Sequence, residues 1–190
     1  MLRIGLFGGS FNPIHCGHVA IASWIVEQKL VDEVWLMISP QNPLKQVSDL
    51  MPETQRMELA ELALKNIESV KACDFEWKLP RPSYTWSTLC ALRQEFPDVE
   101  FSLIIGGDNW VNFHKWANTD LILATTPILV YPRPGCDINT NQLPQNVKIL
   151  TNTPTFPYSS TQVREALSAG TIPTDMLPEA VAKRLAKEGK

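Results

Sequence analysis

Short apolar runs recur along the chain and are separated by longer stretches that mix apolar and polar residues. Runs of this kind, bounded by glycine, proline or polar clusters, are typical of buried strands. The strands that they predict lie at Ile4–Phe7, Val34–Ile38, Val70–Phe75, Phe101–Ile105, Pro127–Tyr131 and Val147–Leu150. Because the runs are continuously apolar, we expect a parallel sheet that is covered on both faces.

The stretches between the strands carry apolar residues at helical spacing. They predict helices from Val19 to Lys29, from Pro52 to Ile67, from Ser83 to Phe96, and from a start just before Val163. A tight order of strand, helix and strand implies right-handed crossovers and a doubly wound α/β fold with helices on both faces of the sheet. No repeat, low-complexity tract or linker divides the chain, so we expect residues 1–190 to form a single domain.

Composition narrows the class of protein. Of the 190 residues, 44% are hydrophobic and 19% are charged, as in an ordinary globular domain and unlike a disordered segment. The net charge of −3 argues against a general nucleic-acid-binding protein, which needs a basic surface. The four cysteines form no CxxC pair, the chain enters a strand at once, and no apolar run has membrane-spanning length. We therefore expect a cytoplasmic protein with no nucleic-acid or membrane partner.

The first predicted strand is followed by a loop rich in glycine and histidine, Gly8-Gly9-Ser10-Phe11-Asn12-Pro13-Ile14-His15-Cys16-Gly17-His18. Glycine lets the backbone lie directly against a ligand, and the free N–H groups at the start of the next helix favour an anion. His15 and His18 flank Gly17, and each imidazole can donate a hydrogen bond to phosphate or gain a proton as negative charge accumulates. This glycine–histidine loop is therefore predicted to bind a phosphate chain.

Two other interpretations of the glycine–histidine loop are open. Glycine-rich turns between a strand and a helix often serve only packing, but that role leaves two imidazoles at a helix start unexplained. A metal site with Cys16 as a third ligand is the other interpretation. Adjacent residues point apart, however, and no second cluster of Cys or His completes four ligands, so we expect no metal held by the protein here.

A second anion site is predicted near the end of the chain. Ser159, Ser160 and Thr161 stand at a predicted helix start, where hydroxyl groups cap free amides. Helix capping explains the hydroxyls. Arg164 lies one turn inside the predicted helix, and its guanidinium can donate two hydrogen bonds to phosphate oxygens. If both anion sites lie at one edge of the sheet, together they suit a nucleoside triphosphate.

Further candidates follow the ends of predicted strands. Lys45 is the one cation of the polar loop 39–51, and it lies where a phosphate would lie. Gly106 and Asp108 end the strand in the middle of the chain, where backbone meets ligand in this type of fold.

Two assignments remain ambiguous on sequence grounds. Thr85 lies at a helix start, and a threonine there is more often a cap than a ligand contact. Trp110, Phe113 and Trp116 follow each other at near-helical spacing, which is typical of core positions. We assign two of these three aromatic residues to the core and leave the third for another role.

The residue pattern also limits the reaction. No Walker sequence or kinase-type set is present, and no nucleophile is paired with a base. The chemistry that remains is direct in-line attack of a substrate phosphate on the α-phosphorus of a nucleoside triphosphate, with pyrophosphate leaving. His18 would contact the α-phosphate, His15 and Arg164 would take the outer phosphates, and Mg²⁺ would bridge the triphosphate oxygens.

The glycine–histidine loop closely resembles the signature of the nucleotidyltransferase superfamily whose core is histidine, any residue, glycine, histidine. Three later segments resemble one branch of it, the nicotinate-nucleotide adenylyltransferases. They are Pro82-Ser83-Tyr84-Thr85, Ile105-Gly106-Gly107-Asp108 with Trp116 eight positions on, and Val130-Tyr131-Pro132-Arg133-Pro134-Gly135. The resemblance covers nearly the whole chain. It implies a Rossmann-like fold and a reaction that joins ATP and nicotinate mononucleotide to give deamido-NAD and pyrophosphate.

The resemblance also implies roles for individual residues. Catalysis is expected of His15, His18 and Arg164. ATP binding is expected of Gly8, Gly9, Ser10, Phe11, Gly17, Gly106, Asp108, Ser159, Ser160 and Thr161. Binding of nicotinate mononucleotide is expected of Lys45, Thr85, Trp116 and Arg133, with Trp116 stacking on the pyridine ring and Thr85 near its carboxylate. One departure is Asn42-Pro43-Leu44-Lys45, where bacterial relatives often carry Pro-Pro-His before the cation.

Several alternatives stay open. Nicotinamide mononucleotide or phosphopantetheine could replace nicotinate mononucleotide as the acceptor, and the first motif alone also allows cytidylyl transfer. A non-catalytic nucleotide sensor on the same fold belongs to a different class. Retention of both histidines with Arg164 argues against the sensor, because binding alone tolerates their loss. The oligomeric state is open, with a homo-oligomer as one option.

Overall fold

Six strands form one parallel sheet in a computed structural model that describes residues 1–40 and 50–187. The strands are β1 (Leu2–Gly9), β2 (Glu33–Ile38), β3 (Val70–Cys73), β4 (Val99–Gly106), β5 (Ile128–Tyr131) and β6 (Val147–Ile149). Their order across the sheet is β3-β2-β1-β4-β5-β6, and every neighbouring pair is parallel. The order reverses direction between β1 and β4, which is the arrangement of a doubly wound fold. The predicted fold class is confirmed.

Seven helices are described around this sheet. They are α1 (Cys16–Glu27), α2 (Glu53–Leu64), α3 (Thr85–Glu95), α4 (Gly107–Val111), α5 (Thr119–Thr125), α6 (Ser160–Ser168) and α7 (Glu179–Ala186), with 3₁₀ turns at Phe75–Lys78, Phe113–Lys115 and Thr140–Gln142. None of the helices within the described ranges has the length and apolar character to cross a membrane.

The two faces of the sheet carry separate apolar cores, because successive side chains of a strand point to opposite faces. On β4, Phe101, Leu103 and Ile105 pack on the face that α3 and α5 cover, where Leu89 is fully buried. Ile104 points to the other face and joins a core built with α1, α2, α6 and α7. The predicted covering of the sheet on both faces is confirmed.

The structure corrects several element boundaries. Helix α1 starts at Cys16, earlier than predicted, because the extended His15 serves as its N-cap and His18 lies in its first turn. Strand β3 ends at Cys73, and Phe75 already belongs to a 3₁₀ turn. Helix α7 was not predicted, although it buries Val181 and Leu185 in the core.

Candidate active site

The two histidines of the glycine–histidine loop form one stacked unit at the start of α1. The main-chain N–H of His15 donates to Nδ1 of His18 at 3.2 Å. The two rings stack with their centroids 3.7 Å apart and their planes 22° apart. Gly17 allows this approach, since a Cβ there would lie 3.0 Å from Cε1 of His15. The loop therefore sets both imidazoles through its own backbone.

The protonation of the pair follows from this geometry. Because Nδ1 of His18 accepts a hydrogen bond, the ring hydrogen of the neutral imidazole lies on Nε2, which makes Nε2 a donor. His15 is only 4% exposed, and burial, with a smaller effect of the positive charge of Arg133, lowers its pKa to about 4. His15 is thus neutral near neutral pH. Without a bound anion the imidazolium form of His15 would be desolvated, so the gain of a proton as negative charge accumulates stays a prediction.

His15 also carries an unsatisfied atom. Nδ1 of His15 is buried and has no hydrogen-bond partner among the described residues. Leaving such an atom unpaired costs roughly 1–3 kcal/mol, so unpaired buried groups in folded proteins are uncommon and often functional.

The start of α6 is fastened to the glycine–histidine loop. Ser160 Oγ donates to the carbonyl oxygen of Pro13 at 3.1 Å, and Arg164 Nη1 donates to that of Asn12 at 2.9 Å. Ser159 is the N-cap of α6 and forms a capping box with Gln162. The two segments predicted to bind anions therefore meet at one edge of the sheet, although about 150 residues separate them.

Both segments line a cavity of about 500 Å³, here called the histidine cavity. Its polar lining includes His15, His18, Asp108, Arg133 and Ser159. Arg133 donates to the hydroxyl of Tyr131 at 2.9 Å, and its Nε lies 3.6 Å from Oδ1 of Asp108. Four elements of the fold thus bring donors and one ion pair around a single space.

A second cavity of about 320 Å³, here called the tryptophan cavity, opens at the carboxyl ends of β1, β2 and β4. Its lining includes Gly8, Gly9, Glu76, Thr85 and Trp116. Phe113 is buried in the core and Trp110 packs beside it, so Trp116 is the aromatic residue of the three that faces a cavity. Trp116 also packs against the core, as Trp110 does, so a ligand role for Trp116 stays a prediction.

Helix α3 begins at the wall of the tryptophan cavity. Thr85 is its first helical residue, whereas the N-cap is Tyr84, whose side chain makes no capping hydrogen bond. The interpretation of Thr85 as a side-chain cap is therefore wrong. The amide groups of the first helical turn need other partners, and they favour an anion.

Several predicted ligand contacts take different places in the structure. Gly8 and Gly9, expected at ATP, line the tryptophan cavity, whereas Arg133, expected at the mononucleotide, lines the histidine cavity. Phe11 is 2% exposed, and its ring packs edge-on against His18, so this residue is part of the core. Lys45 lies outside the described residues.

The remaining predicted residues, among them Ser160 and Arg164, do not line either cavity. The carbonyl of Ser10 accepts a hydrogen bond from Arg56 at 2.6 Å, and the hydroxyl of Thr161 accepts one from Arg164 at 3.3 Å. Gly106 packs so closely that an added Cβ would clash with the side chains of Asp108 and Tyr131.

Sequence reasoning missed two residues near the sites. Arg56 is 1% exposed and donates to the carbonyls of Ser10, Ser39 and Met51, which fixes the carboxyl ends of β1 and β2. Glu76 lines the tryptophan cavity. The buried position of Arg56 could have been predicted, because it is a charged residue on the apolar face of a predicted helix. Nothing in the sequence predicts that Glu76 lines a cavity.

Comparisons with known proteins identify the family. Residues 6–166 match the family model described as Cytidylyltransferase-like. The chain therefore belongs to this family of nucleotidyltransferases.

Closer relatives define the branch. A probable nicotinate-nucleotide adenylyltransferase from Bacteroides fragilis is 46% identical over 98% of this chain and 92% of its own length. Another from Flavobacterium psychrophilum is 42% identical over 96% of this chain and 95% of its own length. Within the larger family, the chain is a member of the nicotinate-nucleotide adenylyltransferases.

A solved structure shares the fold. The nicotinic acid mononucleotide adenylyltransferase of Plasmodium falciparum complexed with NaAD aligns with a TM-score of 0.82 over 99% of this chain and 96% of that chain. The sequences are only 17% identical, so this likeness speaks for the architecture alone.

Proposed function

We propose that this protein transfers AMP from ATP to nicotinate mononucleotide and releases deamido-NAD and pyrophosphate. The observation that carries the proposal is the attachment of α6 to the glycine–histidine loop through Ser160 and Arg164. This attachment brings the start of α6 next to the glycine–histidine loop, so that the groups expected to bind phosphate lie close together. The closely related family members carry the name of this activity.

ATP is assigned to the histidine cavity. Nε2 of His18 donates to the α-phosphate, because its ring hydrogen is directed there by the bond at Nδ1. The first turn of α6 supplies main-chain amides for the outer phosphates, and Arg164 adds positive charge. The hydroxyls of Ser159 and Ser160 already donate to Gln162 and to the carbonyl of Pro13, so among the three residues Thr161 offers the hydroxyl donor. Asp108 then lies on the adenosine side.

Two neighbouring groups refine this assignment. Arg133 belongs to the ATP side, since it lines the histidine cavity and faces Asp108. His15 contributes as a neutral group that stacks on His18 and fixes its ring plane. The negative charge of a bound triphosphate would raise the pKa of His15 from its low value.

Nicotinate mononucleotide is assigned to the tryptophan cavity. The indole of Trp116 offers a flat apolar face to the pyridine ring, and the start of α3 with Thr85 offers donors to the carboxylate. Gly8 and Gly9 allow the backbone to approach the phosphate that faces ATP.

The reaction is a direct displacement. An oxygen of the mononucleotide phosphate forms a bond to the α-phosphorus of ATP, and the bond from that phosphorus to the bridging β-oxygen breaks. The electron pair leaves with pyrophosphate. Alignment of two bound reactants can contribute roughly 7–11 kcal/mol in the best cases, and fixed donors stabilise the charge that develops at phosphorus.

Mg²⁺ is proposed to arrive with ATP. Within residues 1–40 and 50–187 no group of three His, Cys, Asp or Glu side chains is arranged as a metal site. Asp108 is the one carboxylate among the described residues that line the histidine cavity, and it pairs with Arg133, so the metal would be held by phosphate oxygens and water. The metal would neutralise charge on the triphosphate oxygens.

We also propose that the enzyme acts in the cytoplasm. All four of its cysteines are free, which suits a reducing compartment.

Pyrophosphate release tests the proposal. ATP and CTP are each offered with nicotinate mononucleotide, nicotinamide mononucleotide or phosphopantetheine. We expect turnover with ATP and nicotinate mononucleotide at the highest kcat/KM. Faster turnover with another pair would reassign the substrates, and nucleotide binding without turnover on any acceptor would favour a sensor.

A further inference from the structure

A carboxylate faces the tryptophan cavity and is held by two hydroxyl groups. Glu76 lies in the 3₁₀ turn Phe75–Lys78, which follows β3, and it forms part of the cavity wall together with Thr85 and Trp116. No salt bridge to Glu76 occurs among the described residues.

Each oxygen of this carboxylate has its own donor. Thr88 Oγ1 donates to Oε1 of Glu76 at 2.9 Å, and Ser83 Oγ donates to Oε2 at 3.2 Å. Thr88 Oγ1 also lies 3.3 Å from the carbonyl of Tyr84. A hydroxyl has one hydrogen, so the shorter distance identifies the carboxylate as its main acceptor. Ser83 and Thr88 are 7% and 4% exposed, so both hydroxyls depend on protein partners.

The two donors bracket the start of α3. Ser83 precedes the N-cap Tyr84, and Thr88 is the fourth residue of the helix. Since Tyr84 makes no side-chain cap, Glu76 supplies the tertiary contacts that fix this helix start against the cavity.

We propose that Glu76 is a positioning residue that determines how strictly the enzyme selects the pyridine substituent. By holding Ser83 and Thr88, Glu76 fixes the direction in which Thr85 and the first amides of α3 face the substrate. If these donors are misplaced, recognition of the substrate carboxylate is weakened more than the stacking of the pyridine ring on Trp116 is. The inference rests on the proposed function and deepens it.

Two variants separate the contacts of Glu76 from its charge. Glu76→Ala removes both hydrogen bonds, and we expect kcat/KM for nicotinate mononucleotide to fall about tenfold, which corresponds to the loss of hydrogen bonds to a charged group. The preference for nicotinate over nicotinamide mononucleotide should fall as well, while the KM for ATP stays within about twofold. Glu76→Gln keeps the shape, because its amide oxygen can accept from Thr88 and its NH₂ can donate to Ser83 Oγ, so it should restore most of the loss.

The same 3₁₀ turn offers a matched control. Glu95 is the last residue of α3, and its carboxylate forms an ion pair with Lys78 of that turn. Nζ of Lys78 lies 2.7 Å from Oε2 of Glu95, and both side chains are exposed. Glu95→Ala removes a contact between the same two elements but at the other end of the helix. We expect both KM values and the nicotinate preference to stay at the wild-type level.

Three results would overturn the inference. They are wild-type kinetics in Glu76→Ala, a loss in Glu76→Gln as large as in Glu76→Ala, or an equal loss for ATP and for the mononucleotide. Calorimetric binding of nicotinate mononucleotide to the wild type and to Glu76→Ala repeats the comparison without turnover. If the wild type binds the mononucleotide but turns over neither acceptor, the proposed function fails, and the affinity difference still decides the role of Glu76.

Discussion

The two cavities at the carboxyl edge of the sheet differ in how they are built. The histidine cavity collects polar groups from segments that lie far apart in the chain, including His15, Asp108, Arg133 and Ser159. The tryptophan cavity combines a ring face, a helix start and two glycines with the charged residues Glu76 and Lys115.

This difference in lining suggests different roles for the two cavities in the proposed reaction. In the proposed arrangement the histidine cavity places donors where charge develops during the reaction, and its two imidazoles stack with their centroids 3.7 Å apart. Because His15 resists protonation, donors directed by the backbone matter there more than formal positive charge. In the same proposed arrangement the tryptophan cavity recognises the shape of a ring and the position of one substituent. We therefore expect changes on the two sides to affect different kinetic constants.

The largest effect is expected at His18. In His18→Asn the side-chain oxygen can still accept the His15 N–H, but the donor at Nε2 is lost. We expect kcat to fall roughly 10²–10³-fold, as for removal of one donor to a transition-state charge. The KM for ATP should change little, and both constants follow from pyrophosphate release at varied ATP.

His114→Asn is the matched control for this change. His114 is exposed and lies outside both cavity linings, so its replacement should leave kcat unchanged. A normal kcat in His18→Asn would contradict the assignment of His18 to the α-phosphate.

At Trp116 we expect a smaller effect, and we expect it on KM and not on kcat. Trp116→Leu keeps an apolar side chain but removes the flat ring, so the KM for nicotinate mononucleotide should rise about tenfold while the KM for ATP holds. Trp110→Leu removes a neighbouring indole that stacks on Phe113 outside the cavity. Equal effects of the two substitutions would show that Trp116 supports the fold and does not stack on substrate.

The remaining effect is on stability and not on kinetics, and it concerns the neutral state of His15. Its pKa is about 4 in the folded protein and about 6.5 in an unfolded chain, so between these values the unfolded chain binds more protons. This part of the stability is complete above the unfolded pKa and is lost as the pH falls toward the folded pKa. We expect the free energy of unfolding to fall by about 2 kcal/mol more in the wild type than in His15→Asn between roughly pH 7 and pH 5.

Urea unfolding at the two pH values measures this difference. The same pH dependence in His15→Asn and in the wild type would mean that His15 is not held neutral by burial.

Much of the architecture could be predicted because it rests on local pattern. Continuous apolar runs such as Val34–Ile38 mark strands buried on both faces, and the order of elements then leaves few topologies. The helix start at Ser159 could also be predicted, since its capping box is a local signal. Helix α7 was missed because its amphipathic pattern is short and has no cap signal at Pro178.

The site was harder to predict in detail. Arg133 belongs to the histidine cavity because its guanidinium turns toward Tyr131 and Asp108, and this direction depends on packing. The low pKa of His15 depends in the same way on what buries it. The proposed role of Glu76 depends on the hydrogen bonds that Ser83 and Thr88 donate to its carboxylate. Residue spacing along the chain does not predict these contacts.

The sequence by itself determined the six strands, four of the helices and the chemical groups at the ends of those strands. These features follow from periodicity and residue type, which act over a few neighbouring residues. Only the tertiary structure decided which groups share a cavity, which imidazole stays neutral and which carboxylate holds a helix start. Those properties depend on distance, direction and burial between residues far apart in the chain, and these are set when the two faces of the sheet are packed.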